Sequence, residues 1–391
     1  IPSSYEAALV ADDDNGDLAD GTPHVCAIDA AFGPHGLVNG SVGALVITHD
    51  ALDNLAEASD PIPVLATVAA AHPECTESMV GDVRLVWSTD GGASWDEVGM
   101  DALGEGDYVA EIPAVAEGTQ VRYRIEADDL ETGGTITRPS NPADPAYYSY
   151  VGPLDEIFCD DFEAENEGWS HELVSGEWAE GADDWMRGIP VGRGGDPDTA
   201  ASGSYVWGND LALEDNWDGK YQNSKVNALT SPTHDLSDYD AVRLQFRRWL
   251  GVEDGVYDHG RVYVNDEVVW DNTVGDGDTH HQDAEWILFD LDITEQVAGK
   301  ADVQIRWEIE SDQGLQFGGW TLDDVCLYAA QPPAGDDDDD DDDDVSMDDD
   351  DGSISLVDNG CECRSGGTTA PGASGLALLL AGVALWIRRR S

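Results

Sequence analysis

Asp160, Asp161 and Glu163 stand together in CDDFE, and Asp323 and Asp324 stand together in WTLDDVC, each group beside a cysteine, Cys159 or Cys326. Carboxylates gathered in one place repel unless a cation sits among them, and calcium takes about six to eight such oxygens. If Cys159 bonds Cys326, the first and last strands of one domain become neighbours and the five carboxylates converge on one edge. The chemistry expected there is a structural Ca2+ site. The competing reading is that these aspartates are solvated strand ends.

Other chemistries leave weaker traces. The stretch ADDDNGDLADGTPH places Asp12, Asp14, Asn15, Asp17 and Asp20 around Gly16, but setting Gly16 at the sixth position of an EF-hand loop puts Ala11 where the first aspartate belongs. An Asx-rich turn is the better reading. His280 and His281 lie in GDGDTHHQDAEW, a polar stretch read as an exposed loop, because imidazole ligands need a fixed geometry and a supporting shell. There is no HExxH, GxSxG, Walker A or helix-opening GxGxxG motif, so no catalytic residue is assigned. Trp169, Trp178, Trp185, Trp207 and Trp217 could stack on sugar rings, although most tryptophans of a β protein belong to its core.

The charge balance excludes some partners. Against 82 acidic residues stand 18 basic ones, giving a formal net charge of −64. Such a surface repels nucleic acid and anionic lipid, and suits salty surroundings or divalent cations outside the cell. No nucleic-acid partner is expected.

The elements that would position these residues are strands. A chain of 391 residues exceeds one ordinary core. Thirteen Trp and twelve Tyr with 43 Gly and 17 Pro favour strands and turns. The expected fold is all-β. Residues 1–40 contain HVCAIDAAFGPHGL, where Ile28, Ala31 and Phe32 are spaced as on a short helix closed by Gly33 and Pro34. They read as the C-terminal remnant of an upstream domain. Residues 41–152 alternate with period two: Val83, Leu85 and Trp87 on one face, a TDGG hairpin turn, then Trp95 and Val98, and later Val121, Tyr123 and Ile125. Short strands at this spacing predict an immunoglobulin-like or fibronectin III-like sandwich. Residues 155–330 predict a jelly-roll sandwich, with Val242, Leu244 and Phe246 facing inward in one strand and Val303, Ile305 and Trp307 in another. Residues 331–360 carry two aspartate runs, 336–344 and 348–351, and read as a disordered acidic linker. Residues 361–391 end in an apolar stretch, Leu376 to Ile387, followed by Arg388, Arg389 and Arg390. Twelve residues make about 18 Å of helix against a ~30 Å hydrocarbon core. The stretch suits a transient anchor with its arginines on the cytoplasmic side.

Three stretches resemble known families. CDDFE near the start of residues 155–330 and GWTLDDVCL near their end are similar to the bracketing pattern of MAM-like jelly rolls, including those appended to secreted metallopeptidases of the immune inhibitor A type. That resemblance implies an adhesive or accessory domain and adds weight to Asp161, Glu163 and Asp324 as cation ligands. DDDNGDLADGTPH followed by AIDAAFGPHGL resembles the segment closing a class of bacterial secreted zinc-metallopeptidase-like domains. It implies a catalytic domain before Ile1, with no catalytic residue carried into this chain. GCECRSGG, the apolar stretch and the arginine cluster resemble the myxobacterial MYXO-CTERM sorting tag, with two cysteines flanking a glutamate where the family has a small residue. It implies a sorting protease acting near Cys361 or Cys363, an exported protein left at the cell surface or outer membrane or released, and membrane contact through the C-terminal helix only in passing.

Six cysteines without a CxxC pair or Cys/His cluster suggest disulfides and an oxidising compartment, with Cys26 and Cys75 a further candidate pair. The expected function is a non-catalytic accessory and anchoring region of an exported metallopeptidase-like protein, contacting extracellular protein or polysaccharide. The alternative is a stand-alone adhesin or carbohydrate-binding surface protein.

Overall fold

The structure, a computed structural model, describes residues 2–13, 22–32, 45–57, 60–70, 80–130, 133–165, 168–213, 218–273 and 279–331. The acidic linker beyond residue 331, the apolar stretch, Cys361, Cys363 and Arg388 to Arg390 lie outside them, as do Cys75, Trp217 and Asp14 to Asp20. Among the described residues no helix is long and apolar enough to cross a membrane.

Alternating residues dictate nearly everything from Leu45 onward, because a strand sends successive side chains to opposite faces. The Thr119–Asp129 strand buries Val121, Tyr123, Ile125 and Ala127 completely. It sits in a sheet ordered Asp96–Gly99, Val80–Ser88, Thr119–Asp129, Gly134–Arg138, with Tyr147–Val151 also pairing with it. Facing it is a sheet ordered Leu45–Thr48, Ile62–Ala70, Asp107–Ile112, Asp101–Gly104. All of these pairings are antiparallel. The TDGG turn is closed by Asp90, which accepts from the backbone N–H and the hydroxyl of Ser94. Beyond the turn, Trp95, which precedes the Asp96–Gly99 strand, and Val98 within it are each 38% exposed, since that edge strand is exposed along its length.

The second sandwich begins three residues after Val151. Its larger sheet runs Trp185–Gly188, Val206–Asn209, Gly319–Ala330, Val242–Val252, His281–Gln282, with Leu154–Asp160 beside Gly319–Ala330 and Ile287–Asp292 beside Val242–Val252. The opposing sheet runs Ser170–Ser175, Val226–Thr230, Ile305–Glu310, His259–Val264, Glu267–Asp271. Val242, Leu244 and Phe246 from one sheet meet Ile305 and Trp307 from the other and Val303 just before that strand, and the Phe246 and Trp307 rings contact edge to face at 5.5 Å. Burying one such aromatic is worth roughly 1.5–3 kcal/mol. The chain is therefore all-β over these residues, two antiparallel sandwiches in sequence.

The N-terminal segment holds two helices, Pro2–Asp12 and Val25–Phe32. Tyr5 meets Phe32 edge to face, and the Asp12 carboxylate accepts from the His24 backbone and pairs with its ring. Cys26 is disulfide-bonded.

Candidate functional site

Cys159 stands opposite Cys326 in the antiparallel register of the Leu154–Asp160 and Gly319–Ala330 strands, and the two form a disulfide. The acids beside them are each spoken for by hydrogen-bond donors. Asp160 accepts from the Phe162 N–H and the Trp169 indole N–H, and Asp161 accepts from the Glu163 N–H. Glu163 reaches across to a loop, where its Oε1 accepts from the backbone N–H groups of Ser204 and Tyr205 at 2.6 and 2.7 Å. Those two donors hold its carboxyl below the usual range. Gly203 makes the approach feasible: its φ is +56°, and a Cβ there would lie 2.4 Å from Glu163 Oε1.

Asp323 and Asp324 meet the same loop from the other side. Asp323 Oδ2 accepts from the N–H groups of Ala201 and Ser202, and Asp324 Oδ1 accepts from the Ser202 hydroxyl. Burial is the main force on Asp323, pushing its carboxyl up to about 7 with the Asp324 charge adding to it. Loop 201–205 thus brings Glu163, Asp323 and Asp324 together, while Asp160 and Asp161 turn to their own stretch of chain. One group of three acids among the described residues does place ligand oxygens within 4.8 Å of one another, and it is a different one: Glu253, Asp258 and Asp312. Asp258 there accepts from the Tyr221 hydroxyl and the Asp312 N–H. No local motif marks this trio, because 59 residues of chain separate Glu253 from Asp312.

A group of buried charges lies where the two sandwiches meet. Arg248, fully buried, donates from Nε and Nη2 to Asp283 and from Nη1 to Asp144 of the first sandwich at 2.9 Å. Asn141 of the first sandwich donates to Asp283 at 2.7 Å and to the His281 ring at 3.0 Å. Nearby, Asp290 accepts from Gln120 of the first sandwich and from Arg243 and Gln245 of its own, and Asn54 donates to Gln245. Tyr147 donates to Glu285 at 2.6 Å, and Arg138 pairs with the same carboxylate.

Burial acts on Asp144 to raise its carboxyl, but the Arg248 charge and hydrogen bonds hold it below the ordinary value. His281 is pushed down, by burial first and then by the Arg248 charge. The sequence placed His281 in an exposed loop; it is 1% exposed, in a short strand covered by Asn141. Two clefts open along this seam. One of about 480 Å3 is lined by Asp53, Asn54, Arg247, Asp324 and Tyr328, the other of about 590 Å3 by Tyr150, Arg243, Asp292 and Gln331.

Of the tryptophans considered for sugar stacking, Trp169, Trp185 and Trp207 are core residues and Trp178 is 81% exposed.

Fold and seam define a tandem pair of antiparallel β-sandwiches joined through buried charge. Over 255 residues, 63% of this chain, the sequence is 28% identical to Bacillopeptidase F of Bacillus subtilis (strain 168), and the chain spans 16% of that protein's length. The K1 cleaved adhesin domain of Lys-gingipain from Porphyromonas gingivalis W83 aligns over 46% of this chain and 100% of its own, at 16% identity and a TM-score of 0.29. A structure of carbohydrate-binding modules from the β-sandwich superfamily aligns over 72% of this chain and 96% of its own, at 12% identity and a TM-score of 0.27. No protein-family profile matches the sequence.

Proposed function

We propose that the chain is a non-catalytic accessory region of an exported, peptidase-like protein, with the second sandwich making contact with substrate or a surface and the first acting as a spacer locked to it. The observation that carries this reading is the match to Bacillopeptidase F over 16% of that protein's length, which leaves most of the relative outside the matched part. Export is supported by cysteines held in disulfides, which persist in oxidising compartments. The surface location rests on the C-terminal residues: a sorting protease would act at Cys361 or Cys363, while Arg388 to Arg390 hold the end of the chain at the cytoplasmic face until it does.

The test has two arms. The purified chain, incubated with denatured protein, is expected to leave it intact yet be retained on immobilised extracellular protein; hydrolysis by the chain alone would sink the accessory reading. Cells expressing the protein with Cys361→Ala and Cys363→Ala are expected to lose surface retention, and unchanged fractionation would remove the sorting tag from it.

The second reading, a cell-surface adhesin or carbohydrate-binding protein, is favoured by Trp178, an indole left open to solvent where sugar rings can stack. Polysaccharide retention lost in Trp178→Ala would move the assignment to it.

A further inference from the structure

Asp196 is 8% exposed, and neither of its carboxylate oxygens has a hydrogen-bond partner. It sits in the loop from Arg193 to Thr199, which indole N–H groups hold on either side of it: Trp249 donates to the Gly195 carbonyl and Trp286 to the Thr199 carbonyl. The carboxylate lies against the start of the Gly319–Ala330 strand. A Cβ on Gly318 would stand 2.1 Å from Asp196 Oδ1, so only glycine leaves the carboxylate its place. The Thr321 hydroxyl of that strand, fully buried, lies beside the same carboxylate and favours its ionised form, without the alignment of a full hydrogen bond.

A second buried aspartate bears on the first. Asp210 is 1% exposed, and its charge, after burial, is what most disfavours ionisation of Asp196. Pairing places it at the same end of the strand, because Gly208 stands opposite Thr321. Asn209 between them fixes the backbone there, accepting from the Trp320 N–H and donating to Asp184. Among the described residues no Arg or Lys forms an ion pair with Asp184, Asp196 or Asp210.

A buried carboxylate whose two oxygens lack well-formed hydrogen bonds, beside another buried carboxylate, is unfavourable unless something positive and oxygen-seeking joins them. A proton on Asp196 would lower the charge but add a donor that also needs an acceptor. A hard divalent cation would join the Asp196 oxygens and the hydroxyl and offset the charge of Asp210, whose carboxylate already accepts from the Ala212 N–H. We propose that Asp196, Asp210 and Thr321 form a Ca2+ site that fastens the Arg193–Thr199 loop to the Gly319–Ala330 strand. This site is distinct from the acids beside the Cys159–Cys326 disulfide and from the Glu253, Asp258 and Asp312 trio.

The test is calcium stoichiometry by equilibrium dialysis of the full chain after EDTA stripping, comparing the unaltered protein with Asp196→Asn. Asparagine keeps the shape and removes the charge, so the variant should bind one equivalent fewer while any other site is unaffected. Equal stoichiometry in the two, or none bound by either, overturns the proposal. If Asp196→Asn does not fold, judged by circular dichroism, Thr321→Val decides. It preserves packing and removes one ligand oxygen, and is expected to weaken one calcium site by about tenfold or more. A folded Thr321→Val chain that binds every equivalent with unaltered affinity overturns the site.

Discussion

Arg248 of the second sandwich, with no exposed surface, reaches Asp144 of the first at 2.9 Å while holding Asp283 of its own sandwich at the same distance. One guanidinium thus joins two sandwiches, and it lies over the Phe289 ring at 4.5 Å, a ring that Tyr148 of the first sandwich also touches. Arginine suits this place because its planar fork offers five donors and it stays charged when buried.

Removing that cation leaves two carboxylates uncompensated. Arg248→Met should therefore lower unfolding free energy by ~3–5 kcal/mol, the usual penalty for breaking a buried pair from one side. Urea denaturation measures it. Asp53→Ala is the control, since Asp53 is almost fully exposed and 4.0 Å from Arg247, and stability should not change. Equal effects from the two variants would mean that the seam is not held by buried charge.

The Cys159–Cys326 bond closes a loop of 167 residues, nearly the whole second sandwich. Cross-links over long loops restrict the unfolded chain most, so Cys159→Ala with Cys326→Ala should cost ~2–5 kcal/mol. The denaturation midpoint should fall accordingly, and dithiothreitol should lower the midpoint of the unaltered protein in the same direction. No response to either would show that the strand pairing holds without the bond.

The sandwiches were legible in the sequence where burial follows from alternation alone. Val242, Leu244 and Phe246, like Val121, Tyr123 and Ile125, face a core because period two demands it, whichever partner covers them. Val98 stands in a strand of the same sheet as Val121, yet it is 38% exposed, because Asp96–Gly99 is an edge strand exposed along its length. Alternation reports a two-faced strand and says nothing of whether the second layer extends that far. The seam was invisible for another reason. His281 owes its burial to Asn141, 140 residues away, and Arg248 in RRWL reads as a surface residue until Asp144 and Asp283 are placed beside it. Asp196 escaped notice likewise: GRGGDPDT looks like any polar loop until Gly318 and Thr321 close over it.

Asp184 offers a pH test. Its fully buried carboxyl is pushed up to about 7, by burial first and then by the Asp183 and Asp210 charges, from an ordinary 3.8. Between those values the folded chain keeps a proton that the unfolded chain has released. This residue therefore favours folding as pH falls through 7 toward 4, and opposes it as pH rises. In EDTA, the stability of the unaltered protein relative to Asp184→Asn should increase on acidification by roughly 1 kcal/mol per pH unit between 7 and 5. Parallel pH profiles would place the Asp184 carboxyl in the ordinary range.

The acids beside the disulfide make a separate prediction. Glu163 Oε1 and Asp324 Oδ1 already organise loop 201–205 through Ser204, Tyr205 and Ser202. A calcium ion at these strand ends would have to draw on the remaining oxygens of Asp161, Glu163 and Asp324. Because the loop is in place beforehand, binding would require little reordering, and mass action would raise the thermal midpoint as calcium is added. Asp324→Asn retains an oxygen for Ser202 while removing the charge, so it should abolish part of that rise without touching the part lost in Asp196→Asn. Titrating calcium into the unaltered protein, each single variant and the double variant separates the two contributions. If Asp324→Asn follows the unaltered protein throughout, the carboxylates at the strand ends act as hydrogen-bond acceptors for loop 201–205 and hold no ion.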